Sequence, residues 1–83
     1  MTKKIAWTVR ARADVRALDP QVAMHILRGL TRFVKTGEAD IKRLQGVDPA
    51  QFRLRIGVYR LRFYDLGDTI EILGVEHRSE AYR

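Results

Sequence analysis

The chain has 83 residues, no cysteine, and 16 Lys and Arg against 10 Asp and Glu, giving a net charge of +6. That length supports one domain over residues 1–83, near the lower limit for a single hydrophobic core without staples. A cysteine-free chain offers neither a disulfide framework nor a thiolate metal site. No apolar run reaches the length of a membrane span or a signal peptide core, so a cytoplasmic protein without a membrane partner is expected.

Taken in chain order, Ile5, Trp7 and Val9 alternate with polar or small residues, which predicts a half-buried first strand with Trp7 in the core. Ala11–Leu18 is rich in helix formers and predicts a short helix. Asp19-Pro20 is a helix start, an N-cap followed by Pro in the first turn. The helix that follows sets Val22, Ala23, Ile26, Leu27, Leu30, Phe33 and Val34 on one face and His25, Arg28, Arg32 and Lys35 on the other, with Gly37 as its stop. Residues 40–49 have the Gly and Asp-Pro chemistry of a loop. Beyond them the period becomes two, in three runs around Phe52–Ile56, Tyr59–Tyr64 and Ile70–Val75, with turns expected at Ile56-Gly57 and Gly67-Asp68. The expected fold is α+β, in the order β-α-α-β-β-β. Its antiparallel sheet carries two helices on one face.

Charge position is more informative than charge alone. Twelve of the 16 cations are arginine, whose planar fork grips phosphate or carboxylate with two bonds. A hairpin turning at Ile56-Gly57 pairs Arg53 with Arg60 and Gln51 with Arg62. It sends Phe52, Leu54, Tyr59 and Leu61 to the helices and the arginines to the other side. Counting on through Gly67-Asp68 pairs Phe63 with Ile72, Tyr64 with Glu71 and Arg62 with Leu73, and carries Val75 and His77 to the arginine side. The expectation is an open face holding Arg53, Arg55, Arg60, Arg62 and His77. Like charges facing one another destabilise a sheet, and an RNA backbone would relieve the repulsion. A solvated outer face partly paired with Glu71 and Asp65 is the simpler alternative.

The segments Leu44-Gln45-Gly46, Phe52-Arg53-Leu54-Arg55-Ile56-Gly57-Val58-Tyr59-Arg60-Leu61 and Val75-Glu76-His77-Arg78-Ser79-Glu80-Ala81-Tyr82-Arg83 together resemble the RelE/ParE toxin superfamily. The hairpin motif is shared by both branches of that superfamily, whereas the terminal His-Arg…Tyr motif is closer to the RNA-cleaving RelE-like branch. The resemblance implies the toxin of a type II toxin–antitoxin pair. Such a toxin is a ribosome-dependent mRNA endonuclease that uses the 2′-hydroxyl as nucleophile and needs no metal or cofactor. Its implied partners are a cognate antitoxin, with which it forms a hetero-oligomer, mRNA in the ribosomal A site and 16S rRNA, in a bacterial or archaeal cytoplasm.

By the same resemblance Arg53 and Arg60 hold the scissile phosphate, with Arg55 and Arg62 adding to the RNA-binding surface. Arg60, His77, Arg78 and Tyr82 form the catalytic set: charge stabilisation by the arginines, acid or base chemistry by His77, and base chemistry or base stacking by Tyr82. Phosphodiester cleavage requires these three services, and histidine has the side-chain pKa best matched to proton transfer near neutrality. Gln51 stands where some members carry lysine. The alternative from the other branch is a ParE-like inhibitor of DNA gyrase with no nuclease activity.

Overall fold

In the computed structural model the described residues are 3–46 and 48–81, with side chains described as far as Ser79. The elements run β1 (Lys4–Trp7), α1 (Val9–Arg16), α2 (Pro20–Thr36), β2 (Asp40–Arg43), β3 (Phe52–Ile56), β4 (Tyr59–Asp65), β5 (Thr69–His77) and α3 (Arg78–Ala81). This is the expected α+β class with its two main helices. The sheet, however, has five strands, in the order β1-β5-β4-β3-β2.

Helix α2 follows its sequence signals closely. The Asp19 side chain accepts from the Gln21 N–H, Pro20 occupies the first turn, and Gly37 closes the helix at φ 73°. Ile26 and Leu30 are fully buried, and Val22, Phe33 and Val34 pack against the core. His25, Arg28, Arg32 and Lys35 are exposed, as the helical period requires. Helix α1 begins two residues earlier than expected because Thr8 is its N-cap, accepting from the Ala11 N–H.

The core is built from α2 and one face of the sheet. Leu54, Ile56, Leu61, Phe63, Ile70, Ile72 and Val75 are buried there, with Ala11 from α1. Phe63 is its centre, stacked on Phe52 (ring centroids 5.6 Å) and tilted against Phe33 (5.7 Å). Trp7 packs against this cluster. Helix and sheet are in tight contact at Gly29, where a Cβ would lie 2.9 Å from Cδ1 of Ile56.

Three features depart from the expected sheet. Strand β1 is parallel to β5, with Ile5 opposite Ile70 and Trp7 opposite Ile72. Alternation announces a strand but not its neighbour or direction. Residues 40–43 form an edge strand rather than loop, pairing Asp40 with Arg55 and Lys42 with Arg53. Its low β-propensity residues are held by the ladder that the open edge of β3 offers. The first hairpin turns at Gly57-Val58, not Ile56-Gly57, and pairs Ile56 with Tyr59, Leu54 with Leu61 and Arg53 with Arg62. Burial of Ile56 keeps it in the strand, and Gly57 takes the positive φ of 59° that the turn needs. The slip is two residues, so every side chain keeps its expected face.

Two expectations follow. Gly29→Val should cost about 2–3 kcal/mol in urea unfolding through overpacking against Ile56, and Ile56→Ala in the same background should recover part of it. The Lys3 ammonium bonds both carboxylate oxygens of Asp65 at 2.8 Å. That bond, with the Gly67 N–H, holds the Asp65 pKa below its ordinary 3.8. A depressed carboxylate stabilises the fold above its unfolded pKa and loses that contribution as pH falls through the folded value. Melting temperature followed from pH 6 down to about pH 2 should therefore fall less steeply in Asp65→Asn than in the parent.

Candidate nucleic-acid interface

The face of the sheet away from α2 carries the basic side chains, and register sorts them into rows. One row runs Lys42–Arg53–Arg62–Gly74 across β2, β3, β4 and β5. The next runs Asp40–Arg55–Arg60–Glu76. Beside the first row, the Gln51 amide donates to the Tyr64 hydroxyl at 3.3 Å, and Tyr64 faces Glu71 as expected. All four predicted hairpin arginines thus share one face. Lys42 joins them from the segment expected to be loop.

The rows differ in their acids. In the second, Asp40 lies 4.0 Å from Arg55 and Glu76 stands opposite Arg60. In the first, the Arg62 Nε donates to Glu76 diagonally at 3.1 Å, and among the described residues no acid pairs with Lys42 or Arg53. Arg60 is not on the open surface: only 3% of it is exposed.

The expected approach of His77 to the arginines is overturned. Between Arg62 and Phe63 the β4–β5 register shifts, so that Phe63 faces Ile72 but Arg62 faces Gly74 instead of Leu73. Leu73 is the extra residue of a β-bulge, and one inserted residue inverts the parity of everything after it. Val75 therefore turns into the core, 8% exposed, and His77 sits opposite Tyr59 on the helix side, their rings edge-on at 5.3 Å. The Ser79 N–H donates to Nδ1 of His77 at 3.1 Å, which puts the proton of the neutral ring on Nε2. Glu76 takes the position on the arginine face.

Helix α1 pins the bulge. Beyond Ile72 the edge of β5 is no longer paired with β1, and residues of α1 satisfy the exposed backbone. The Thr8 N–H and hydroxyl both donate to the Ile72 carbonyl, at 3.1 and 3.0 Å, and Asp14 accepts from the Val75 N–H at 3.0 Å. Gly74 completes the fit, since a Cβ there would lie 3.1 Å from Nη2 of Arg62. The glycine inside a strand pattern was the available signal of a bulge; Glu76 and Asp14 gave none of their own.

Arg78 is exposed at the start of α3, its N–H donating to the Val58 carbonyl at 2.7 Å, so the terminal segment is tied to the first hairpin. Tyr82 lies outside the described residues. Among the described residues no group of three or more His, Asp or Glu side chains is placed to hold a metal ion, and no helix is long and apolar enough to cross a membrane.

The family model for the ParE toxin of type II toxin–antitoxin systems matches residues 5–82. The chain belongs to this family. The match confirms the expected RelE/ParE superfamily and makes the protein a type II toxin. Among solved structures, this toxin is similar to a chain of the RelBE2 toxin–antitoxin complex from Mycobacterium tuberculosis. They share 27% identity, covering 94% of this chain and 100% of that one, with a TM-score of 0.77. The same fold occurs in the RelB–RelE complex of Methanococcus jannaschii, at 22% identity, coverage of 93% and 94%, and a TM-score of 0.72. It recurs in the archaeal RelE–RelB complex of Pyrococcus horikoshii OT3, at 20% identity, coverage of 94% and 97%, and a TM-score of 0.73. A search of curated proteins finds no match.

Arg53 faces cations on both sides, Lys42 and Arg62, which is unfavourable for folding. Arg53→Gln should therefore raise stability by a few tenths to ~1 kcal/mol in chemical denaturation, while weakening binding of a single-stranded RNA oligonucleotide severalfold. Loss of stability with unchanged binding would mean the row is structural.

Proposed function

We propose that this toxin acts on RNA, as a ribosome-dependent endonuclease that cleaves mRNA in the A site and is held in check in the cytoplasm by a cognate antitoxin. The observation that carries this reading is the row Lys42–Arg53–Arg62 beside Tyr64, in which, among the described residues, Lys42 and Arg53 have no acid and Arg62 has only the diagonal contact to Glu76. A run of cations at strand spacing fits successive phosphates, and an aromatic ring beside it suits a stacked base. Support for the antitoxin comes from the solved complexes to which the chain is similar.

In this reading the 2′-hydroxyl gives up its proton and its oxygen attacks the adjacent phosphorus, the bond from phosphorus to the 5′-oxygen breaks, and that oxygen takes up a proton, leaving a cyclic phosphate and a 5′-hydroxyl. Arg53 and Arg62 hold the phosphate and offset the charge that gathers on it, which electrostatic preorganisation does at little reorganisation cost. Arg55 extends the surface. Arg60, enclosed in the second row, supports the field of the face. Arg78 and Tyr82 take the roles that the family resemblance gives them, charge stabilisation for Arg78 and proton transfer or a stacking surface for Tyr82. His77 is left out of the catalytic set, because its ring packs on Tyr59 and its Nδ1 is engaged by Ser79.

The second reading, a gyrase inhibitor without nuclease activity, is favoured by the ParE identity of the family model and by the absence of His77 from the arginine face. The two part in one pair of assays. The RNA reading expects A-site cleavage in a translation extract, a loss of about a hundredfold in Arg62→Ala or Tyr82→Ala, rates within about threefold of the parent in His77→Asn, and unimpaired supercoiling by purified gyrase. Gyrase inhibition without mRNA cleavage would establish the other reading.

A further inference from the structure

Glu76 is the group on the arginine face that the RNA reading leaves without a task. The Leu73 bulge puts it there, and its carboxylate accepts from Arg62 Nε at 3.1 Å. Both side chains are about three-tenths exposed, so the pair is at the surface and open to exchange. Gly74 makes the room into which the Arg62 guanidinium folds, with Nη2 3.1 Å from where a Cβ would be. Arg62 is thereby drawn toward β5, on the side away from Arg53 and Lys42. Of the other acids, Asp40 stands beside Arg55 and Glu71 opposite Tyr64, while Asp14, 3.4 Å from the same Gly74 Cβ position, is engaged through its Oδ2 by the Val75 N–H.

We propose that Glu76 is an internal counter-anion that occupies Arg62 in the free toxin and is displaced when an RNA phosphate engages the Lys42–Arg53–Arg62 row. The proposal rests on the RNA reading of that face. A carboxylate and a phosphate oxygen compete for the same guanidinium fork. Glu76 therefore sets the affinity threshold for phosphate: isolated contacts are too weak to pull Arg62 away, and a strand that also engages Arg53 and Lys42 is not. No bond is made or broken; the exchange is one ion pair for another.

The test is binding of a short fluorescein-labelled oligouridylate to the 83-residue toxin, read by anisotropy at fixed salt, with thermal melts to verify folding. Glu76→Gln keeps the shape and removes the charge, and should tighten binding roughly three- to fivefold, the range of a partly exposed ion pair. Glu71→Gln removes an equal charge from the same face and should change binding much less. In an Arg62→Gln background the gain from Glu76→Gln should vanish, because coupled residues are not additive. Equal effects of Glu76→Gln and Glu71→Gln, or a gain that persists without Arg62, would overturn the proposal and leave only a general charge effect. Arg53→Gln separates it from the reading beneath it. If that variant binds RNA as the parent does, the row is not the RNA site and both fall. If it binds more weakly while Glu76→Gln brings no gain, only the counter-anion is refuted.

Discussion

The extra residue Leu73 in β5 decides which side chains of the last strand face the arginines. Without it, strict alternation would carry His77 to the basic face and Glu76 toward Tyr59; with it, Glu76 and His77 exchange sides. Such an insertion leaves backbone groups without ladder partners, and in a small domain these need other bonds. Thr8 and Asp14 of the first helical segment supply them. The N-terminal helix, far from the hairpin in sequence, is thus what holds the composition of the basic face.

That face is under electrostatic tension. Arg53 lies opposite Arg62, and Arg55 opposite Arg60, in adjacent strands. The two rows resolve it differently. Asp40 and Glu76 flank the second row, and Arg60 is enclosed within it. The first row has no acid in register and borrows only the diagonal contact from Glu76. An apolar core of Phe63, Leu61, Leu54, Ile26 and Leu30 behind the sheet holds the strands in place despite the repulsion. Folding alone gains nothing from placing Lys42 beside Arg53 with no acid in register, and the proposed phosphate-bearing partner answers to that repulsion.

Much of the fold was legible because period and caps act locally. Helix α2 followed from Asp19-Pro20, its apolar stripe and Gly37. The faces of β3 and β4 followed from alternation, and the two-residue slip of the first hairpin left them unchanged because a shift of two preserves parity. Less of the site was legible. Lys42 lies in a four-residue edge strand with one apolar residue, and only pairing with β3 makes it a strand. Glu76 and His77 could not be placed by counting through Leu73-Gly74, where backbone bonds to another element set the geometry.

Readable from the chain alone are the α+β class, the helical stripe, the grouping of Arg53, Arg55, Arg60 and Arg62 on one face, and the resemblance to toxins that the family match established. These depend on side-chain periodicity and motif order, which are properties of neighbouring residues. The parallel pairing of β1 with β5, the edge strand that brings in Lys42, the burial of Arg60, and the exchange of His77 for Glu76 arise from folding. Each of these depends on a contact between residues far apart in the chain, where local pattern carries no information about partner or direction.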